Sequence, residues 1–264
     1  FSNESKNRNV LPVASTRVHL HATRSDYINA NFVTCNGRSY IATQAPLSES
    51  CGDFWQMVYE QDSRVIVMLC NLVERSRVRC HKYWPKVDET RRHGGLTLRL
   101  VKSATLPGIQ LRKILLRDNT GKERLVTTCR VTEWPDFGVP ETSEHVRSVL
   151  DILDHYLGDG GGPPVVHCSA GLGRSGAFIA IHSCLSQLRV NGTCNVRETV
   201  RAMRQQRAGA IQTPEQYLFV YRALKDVLFS LSSTNTALLD SSGESESAPS
   251  ADWIATELLS GKTF

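Results

Sequence analysis

The sequence predicts an α/β domain in which helices flank a mixed, twisted β-sheet. First, an apolar strand, a glycine-rich loop and an apolar helix follow one another at 163–188. Second, alternating strands separated by turn residues occupy 95–103, 108–118 and 123–134. Third, apolar residues recur at helical spacing through 143–157. The 264 residues can bury the core of one large domain.

The segment PPVVHCSAGLGRSG (163–176) organises the chain. Val165 and Val166 are β-branched and apolar, which is typical of a short buried strand. A turn with two glycines follows, and a helix begins near Arg174. A strand, a tight loop and a helix N-terminus form an anion site, because successive N–H groups face inward and the helix dipole adds about half a positive charge.

Two side chains turn this anion site into a predicted reaction centre. Cys168 points into the cradle, where its pKa is expected well below about 8.5. Arg174 can reach back and hold two phosphate oxygens in its planar fork. We therefore expect Cys168 to attack phosphorus, and Ser175 to stabilise the thiolate when it leaves in a second step.

Two other interpretations of the segment 163–176 explain fewer of its residues than a reaction centre does. A buried structural cysteine beside a helix-capping arginine would need no chemistry at all. The glycines at 171, 173 and 176 also match the dinucleotide-binding fingerprint. That fingerprint requires a following strand that ends in an acid about 20 residues later, whereas Asn191 and Gly192 interrupt the corresponding region here.

With these motifs in view, the chain resembles the catalytic domain of the tyrosine-specific protein tyrosine phosphatases, from about Lys6 to Leu231. The resemblance implies hydrolysis of phosphotyrosine through a cysteinyl-phosphate intermediate, with no metal and no cofactor. It also implies that backbone amides of the loop bind the phosphate together with Arg174, and that His167 supports the nucleophile. The loop residues are Ser169, Ala170, Gly171, Leu172 and Gly173.

The segment EWPDFGVP (133–140) carries the second chemical group. Departure of a tyrosyl oxygen needs a proton, and a positioned carboxylic acid accelerates such a step by about 10²–10⁴-fold. Asp136 is the predicted general acid, with Trp134 and Gly138 as parts of the hinge of a mobile loop. An aspartate after a proline is common in turns, so the complete WPD-x-G-x-P pattern of the family gives this prediction its weight.

The resemblance assigns further roles in the segment 73–85. There Glu74 would orient Arg174, Arg79 would contact the closed acid loop, and Tyr83 would hydrogen-bond His167. A charge-laced hairpin without a catalytic role is the alternative.

Two helices complete the predicted site. Gln212 and Gln216 in QTPEQY would place the water that hydrolyses the intermediate, although the start of an ordinary amphipathic helix has the same pattern. A helix is also predicted over 195–212. Its Arg204 and Arg207 either line a secondary anion-binding surface or are exposed helical arginines, which is the commoner case.

The N-terminal segment departs from the family. The tyrosine that stacks on the substrate ring would fall at Asn7 or be deleted before Asn9, and the family's opening helices are missing. Two alternatives follow: a weakly active phosphotyrosine-binding module, or a dual-specificity phosphatase with a shallower pocket. The YWP, WPD and QTPEQY stretches argue against the second.

Charge and composition set the expected partners and compartment. The net charge is +5, and the first 233 residues alone carry +9. This basic charge suits phosphotyrosine-containing proteins as partners, and no nucleic acid is expected because aromatic residues do not interleave the basic patches.

Eight cysteines without paired spacing favour a reducing compartment. No apolar run approaches the roughly 20 residues of a membrane span, so we expect a cytoplasmic chain or the cytoplasmic portion of a longer protein.

Two regions are predicted. Residues 1–232 form the catalytic domain, N-terminally truncated relative to the family. Residues 233–264 form a serine-rich, acidic tail of disordered type, with a short helix possible at 253–260.

Overall fold

A computed structural model describes residues 10–23, 25–158 and 160–237 of the chain. Nine strands form one sheet in the order β1-β2-β3-β11-β4-β10-β9-β8-β7, and β5 pairs with β6 in a separate hairpin. The strands are β1 (Arg17–His19), β2 (Tyr27–Cys35), β3 (Arg38–Thr43), β4 (Val65–Met68), β5 (Val73–Glu74), β6 (Arg77–Val78), β7 (Thr90–His93), β8 (Leu96–Leu106), β9 (Ile109–Arg117), β10 (Glu123–Val131) and β11 (Val165–His167). The predicted mixed sheet is thereby confirmed.

The strand that precedes the nucleophile lies in the parallel centre of this sheet. β11 pairs in parallel with β3 on one side and with β4 on the other, and β4 pairs in parallel with β10. All three residues of β11 are buried, as expected for a strand covered on both faces. The outer pairs, from β1 to β3 and from β10 to β7, are antiparallel. The parallel core therefore fixes the direction in which the loop after His167 leaves the sheet.

Within the described residues, five α-helices accompany the sheet: α1 (Cys51–Glu60), α2 (Glu144–Gly158), α3 (Gly173–Asn191), α4 (Val196–Gln206) and α5 (Pro214–Ala237). Every residue of α3 from Gly173 to Leu185 is buried, which is typical of a helix enclosed by neighbours. Those neighbours include α4 and α5 as well as β11 and β3. The N-terminus of α3 is thus held at the end of the central strand.

Two helix boundaries differ from the sequence prediction. The helix predicted over 195–212 ends at Gln206, because Arg207 adopts an extended backbone (φ −135°, ψ 95°). The last helix continues to Ala237, past the predicted start of the tail at residue 233. The remainder of that tail, with the segment 253–260, lies outside the described residues, as do Asn7 and Asn9.

The described residues also bear on cysteine pairing and membrane spans. All eight cysteines lie among them, and each is free of a disulfide. No helix within the described ranges combines the length and apolar character needed to cross a bilayer.

Candidate active site

The carbonyl groups of the loop 168–172 are bound on its outer side. The Ser169 oxygen accepts a hydrogen bond from the Ala45 N–H (3.1 Å), and the Leu172 oxygen accepts one from the Ile211 N–H (3.2 Å). In a trans peptide unit the C=O and the next N–H point in opposite directions. Holding the carbonyls outward therefore turns the N–H groups of the following residues toward the inside of the loop, where an anion would bind.

Arg207 binds two further carbonyls of the loop, and the expectation that it is an exposed helical arginine was wrong. It is 1% exposed. Its Nη2 donates to the Ala170 oxygen at 3.1 Å and its Nε to the Gly171 oxygen at 3.3 Å. Nη1 donates to the side-chain oxygens of Asn29 (2.7 Å) and Asn31 (2.9 Å). The helix ends before Arg207 so that this side chain can lie beneath the loop.

Burial and the nearby nucleophile act on Arg207 in opposite directions. Burial lowers its pKa to about 10, and the Cys168 thiolate acts to raise it. The guanidinium is therefore still charged at neutral pH. Arg204 has a related but simpler role, since it donates to the backbone oxygens of Ala210 and Ile211. Arg204 is exposed on α4, as the commoner interpretation of the sequence expected, and a secondary anion-binding surface there stays a prediction. Arg207 is buried and does not line such a surface.

Gly171 is required by the close packing of the loop on β3. Its φ is +69°, and a Cβ there would lie 2.1 Å from the Thr43 oxygen. Any side chain at this position would push the loop away from the sheet.

The Cys168 sulfur lies inside the ring of N–H groups, and its side chain is buried. Burial acts to raise the pKa of the thiol, but the Arg174 charge and hydrogen bonds from the Ser175 hydroxyl and the Ser175 and Leu172 N–H groups lower it below its ordinary value. The Ser175 hydroxyl is buried, and it acts on the Cys168 sulfur as a hydrogen-bond donor that lowers the pKa of the thiol.

Behind the loop, His167 contacts Tyr83. The Tyr83 hydroxyl and His167 Nε2 are 2.9 Å apart, and His167 Nδ1 lies 3.2 Å from the Cys168 backbone oxygen. The rings of Tyr83 and Phe54 pack against the imidazole. The structure thus brings together the two residues that the sequence paired.

Glu74 holds the Arg174 guanidinium in a bidentate pair. Nη1 donates to Oε1 at 2.6 Å and Nη2 to Oε2 at 2.9 Å. Burial acts to raise the pKa of Glu74, but Arg174 and the Asn71 N–H lower it below its ordinary value. Burial likewise acts to lower the pKa of Arg174, and the Glu74 and Cys168 charges raise it. Both groups are held in their charged forms.

The segment 133–140 lies over this site. Arg174 Nη1 donates to the Trp134 oxygen (3.0 Å), and its Nη2 donates to Asp136 Oδ1 (3.2 Å). Arg79 Nη2 lies 2.5 Å from Asp136 Oδ2. Trp134 Nε1 donates to the Gly138 oxygen, which closes the loop on itself. Asp136 is therefore beside the arginine that is expected to hold phosphate.

The two glutamines lie over Gly173, at the mouth of the loop. A Cβ on Gly173 would be 2.8 Å from Gln212 Oε1 and from Gln216 Oε1. The Gln216 side chain also accepts a hydrogen bond from the Gln212 N–H at 3.0 Å. The preceding Ile211 has a φ of +61°, which is an outlier for a β-branched residue. This strained turn brings Gln212 back toward α3, whereas the sequence analysis predicted a continuous helix over 195–212.

Comparison with known proteins identifies the family to which this arrangement belongs. A family model described as "Protein-tyrosine phosphatase" matches residues 2–226. The chain belongs to the protein-tyrosine phosphatase family.

Relatives in the protein-tyrosine phosphatase family match most of this chain. It is 41% identical over 233 residues to "Tyrosine-protein phosphatase 1" of Caenorhabditis elegans, covering 84% of this chain and 23% of the relative. It is 40% identical over 236 residues to "Tyrosine-protein phosphatase non-receptor type 2" of Mus musculus, covering 84% and 56%. It is 38% identical over 239 residues to "Receptor-type tyrosine-protein phosphatase F" of Homo sapiens, covering 86% and 12%. The chain thus spans between about a tenth and just over half of these relatives.

For this member of the protein-tyrosine phosphatase family, Arg207→Met is expected to lower kcat/KM about 100-fold and the free energy of unfolding by about 2–4 kcal/mol. The variant keeps the side-chain volume but leaves the oxygens of Ala170 and Gly171 without their donor. Loss of the buried positive charge also raises the pKa of Cys168. The rate of alkylation of Cys168 as a function of pH measures that shift.

Arg201→Met is the matched control, because Arg201 lies on the preceding helix with its side chain 69% exposed. It should change neither kcat/KM nor the alkylation profile. An Arg207→Met protein that loses stability but keeps the wild-type profile would limit Arg207 to a structural role.

Proposed function

We propose that this domain is a protein-tyrosine phosphatase that hydrolyses phosphotyrosine through a cysteinyl-phosphate intermediate. One observation carries the proposal: the Cys168 thiol has a lowered pKa inside a loop whose carbonyls are all bound on the outside. Such a loop offers N–H groups to the equatorial oxygens of a phosphoryl group and a thiolate to its phosphorus.

In the proposed first step, the Cys168 sulfur forms a bond to phosphorus as the bond to the tyrosyl oxygen breaks. Arg174 and the 169–174 amides hold the three phosphoryl oxygens. Asp136 transfers its proton to the departing oxygen, so that tyrosine leaves neutral. Glu74 fixes the Arg174 fork, which it holds through two short hydrogen bonds.

In the proposed second step, a water bound by Gln212 and Gln216 attacks phosphorus. Asp136, now ionised, accepts a proton from this water, and the bond between sulfur and phosphorus breaks. The departing thiolate is stabilised by the Ser175 hydroxyl and by the N–H groups that lower its pKa. Inorganic phosphate is the product.

Phosphotyrosine-containing proteins are the proposed substrates, and the cytoplasm is the proposed location. The basic charge of the domain supports an anionic substrate. The reactive Cys168 and the seven other unpaired cysteines support a reducing compartment.

Paired peptides that differ only in phosphotyrosine or phosphothreonine test the substrate. We expect kcat/KM to be at least about 100-fold higher for phosphotyrosine. The phenolic oxygen, with a pKa of about 10, is a better leaving group than an aliphatic alkoxide, and the longer side chain reaches deeper into the loop. Phosphate release and peptide binding are measured for both.

Equal rates would support a dual-specificity phosphatase instead. Tight binding of the phosphotyrosine peptide with no phosphate release would support the phosphotyrosine-binding module.

A further inference from the structure

Residues on either side of the acid loop, residues 133–140, contact one turn of the sheet. Just before the loop, the Thr132 N–H donates to the Gly108 oxygen at 2.9 Å. Five residues after it, the His145 ring of α2 lies against the α-carbon of the same glycine. A Cβ on Gly108 would be 2.4 Å from His145 Cε1 and Nδ1, and its φ is +68°. Only glycine permits this contact.

A second contact joins His145 to the first residue of the acid loop. His145 Nδ1 lies 3.3 Å from Glu133 Oε2, with the two side chains 22% and 60% exposed. A polar contact this accessible contributes little to stability. Its position matters more than its strength, because Glu133 is three residues from Asp136.

The α2 end of this contact is anchored to the rest of the domain. Ser143 is buried, and its hydroxyl donates to Asp226 Oδ2 on α5 at 2.7 Å. The start of α2 is therefore fixed to α5. His145 and Gly108 consequently give a fixed reference point to which the first residue of the acid loop is tied.

We propose that Gly108, Glu133 and His145 form a hinge clasp that sets the position from which Asp136 delivers its proton. The inference rests on the proposed function and adds positioning residues to it, none of which touches substrate. A displacement of about 1 Å at a reacting group can lower a rate about 100-fold. The clasp contacts Glu133, the first residue of the acid loop, so a change in the clasp would displace Asp136 as well.

Gly108→Ala tests the clasp, because the added methyl would displace the His145 ring. Two substrates are compared by kcat/KM, which reports the transfer of phosphate to Cys168. With phenyl phosphate, whose leaving oxygen needs a proton, we expect a loss of about tenfold. With p-nitrophenyl phosphate, whose leaving oxygen is already stabilised, we expect a loss of less than about twofold. A general loss of folding would lower both values equally.

Gly121→Ala is the matched control. Gly121 also lies in a turn with positive φ, at +88°, but a Cβ there would meet nothing within 4 Å. It imposes backbone strain without touching the acid loop, so the ratio of the two kcat/KM values should stay at its wild-type value. If Gly108→Ala does not fold, His145→Ala and Glu133→Gln test the clasp independently. Each of these two variants should lower kcat/KM for phenyl phosphate more than it lowers kcat/KM for p-nitrophenyl phosphate.

The double variant Gly108→Ala/His145→Ala shows whether the effect passes through the ring. Removing the ring relieves the overlap, so Gly108→Ala should cost less in that background than in the wild type. An active wild type whose substrate ratio is unchanged in all three single variants would overturn the clasp alone. A wild type that hydrolyses neither aryl phosphate would overturn the proposed function and the clasp with it.

Discussion

Cys168→Ser is expected to lower phosphate release by about 10⁵-fold, the loss typical of removing a nucleophile from a catalytic unit. The loop lowers the pKa of the Cys168 thiol and so favours its thiolate form. A serine hydroxyl starts from a far higher pKa, so the same N–H groups and the same Arg174 charge cannot ionise it at neutral pH. Single-turnover release of phosphate from a phosphotyrosine peptide measures the effect.

The lowered pKa also predicts how Cys168 responds to pH. Its thiolate persists below the pH at which an ordinary cysteine is protonated, so alkylation by iodoacetate should stay fast as the pH falls toward neutrality and slow only below the lowered pKa. Burial raises the pKa of Cys129 to about 12, and it raises the pKa of Cys194 as well. Alkylation near neutral pH should therefore modify Cys168 first, and inorganic phosphate should protect it.

Cys194→Ser is the matched control, since Cys194 lies in the connection between α3 and α4. It makes the same chemical change without touching the loop, and its kcat should equal that of the wild type. Phosphate release by Cys168→Ser at a rate near that of the control would show that another group attacks phosphorus.

Asp136→Asn is expected to lower kcat by about 10²–10⁴-fold for phosphotyrosine peptides. The amide has the shape of the carboxyl group but cannot transfer a proton to the tyrosyl oxygen. Binding of vanadate, a phosphate mimic, should change little, because Arg174 and the loop amides remain in place. The limb of the pH profile of kcat/KM that reports the protonated acid should also disappear.

Glu141→Gln provides the comparison for Asp136→Asn. Glu141 is an exposed acid just past the acid loop, and its neutralisation should leave kcat and the pH profile unchanged. If Asp136→Asn kept the wild-type rate with peptide substrates, proton donation would have to be reassigned.

The sequence could predict where the proposed reacting groups lie, because each of these groups belongs to a short segment. Cys168, Arg174 and Ser175 share one strand, loop and helix, and Asp136 has its own loop between two prolines. In such a segment, the number of residues between two side chains is enough to place both of them at the same loop. The mixed sheet was predictable for a similar reason, since strand alternation is a local property of the chain.

Arg207 was not predictable, because its role exists only in the folded chain. In the sequence it continues a helical pattern after Gln206. In the structure it bonds to two asparagines of β2 and to two loop carbonyls, all distant in sequence. A buried arginine is favourable only where those acceptors converge, and the helix ends early to reach them. The left-handed Ile211 is likewise fixed by tertiary contacts.

Arg207 has no carboxylate partner among the described residues, which leaves its charge to be neutralised across the loop by the nucleophile. The fixed charges around the free site then sum to zero, with three cations matched by three anions: Arg79, Arg174, Arg207, Glu74, Asp136 and ionised Cys168. A doubly charged phosphate ester would change that balance, and Arg207 would then lie across the loop from the phosphate as well as from the sulfur.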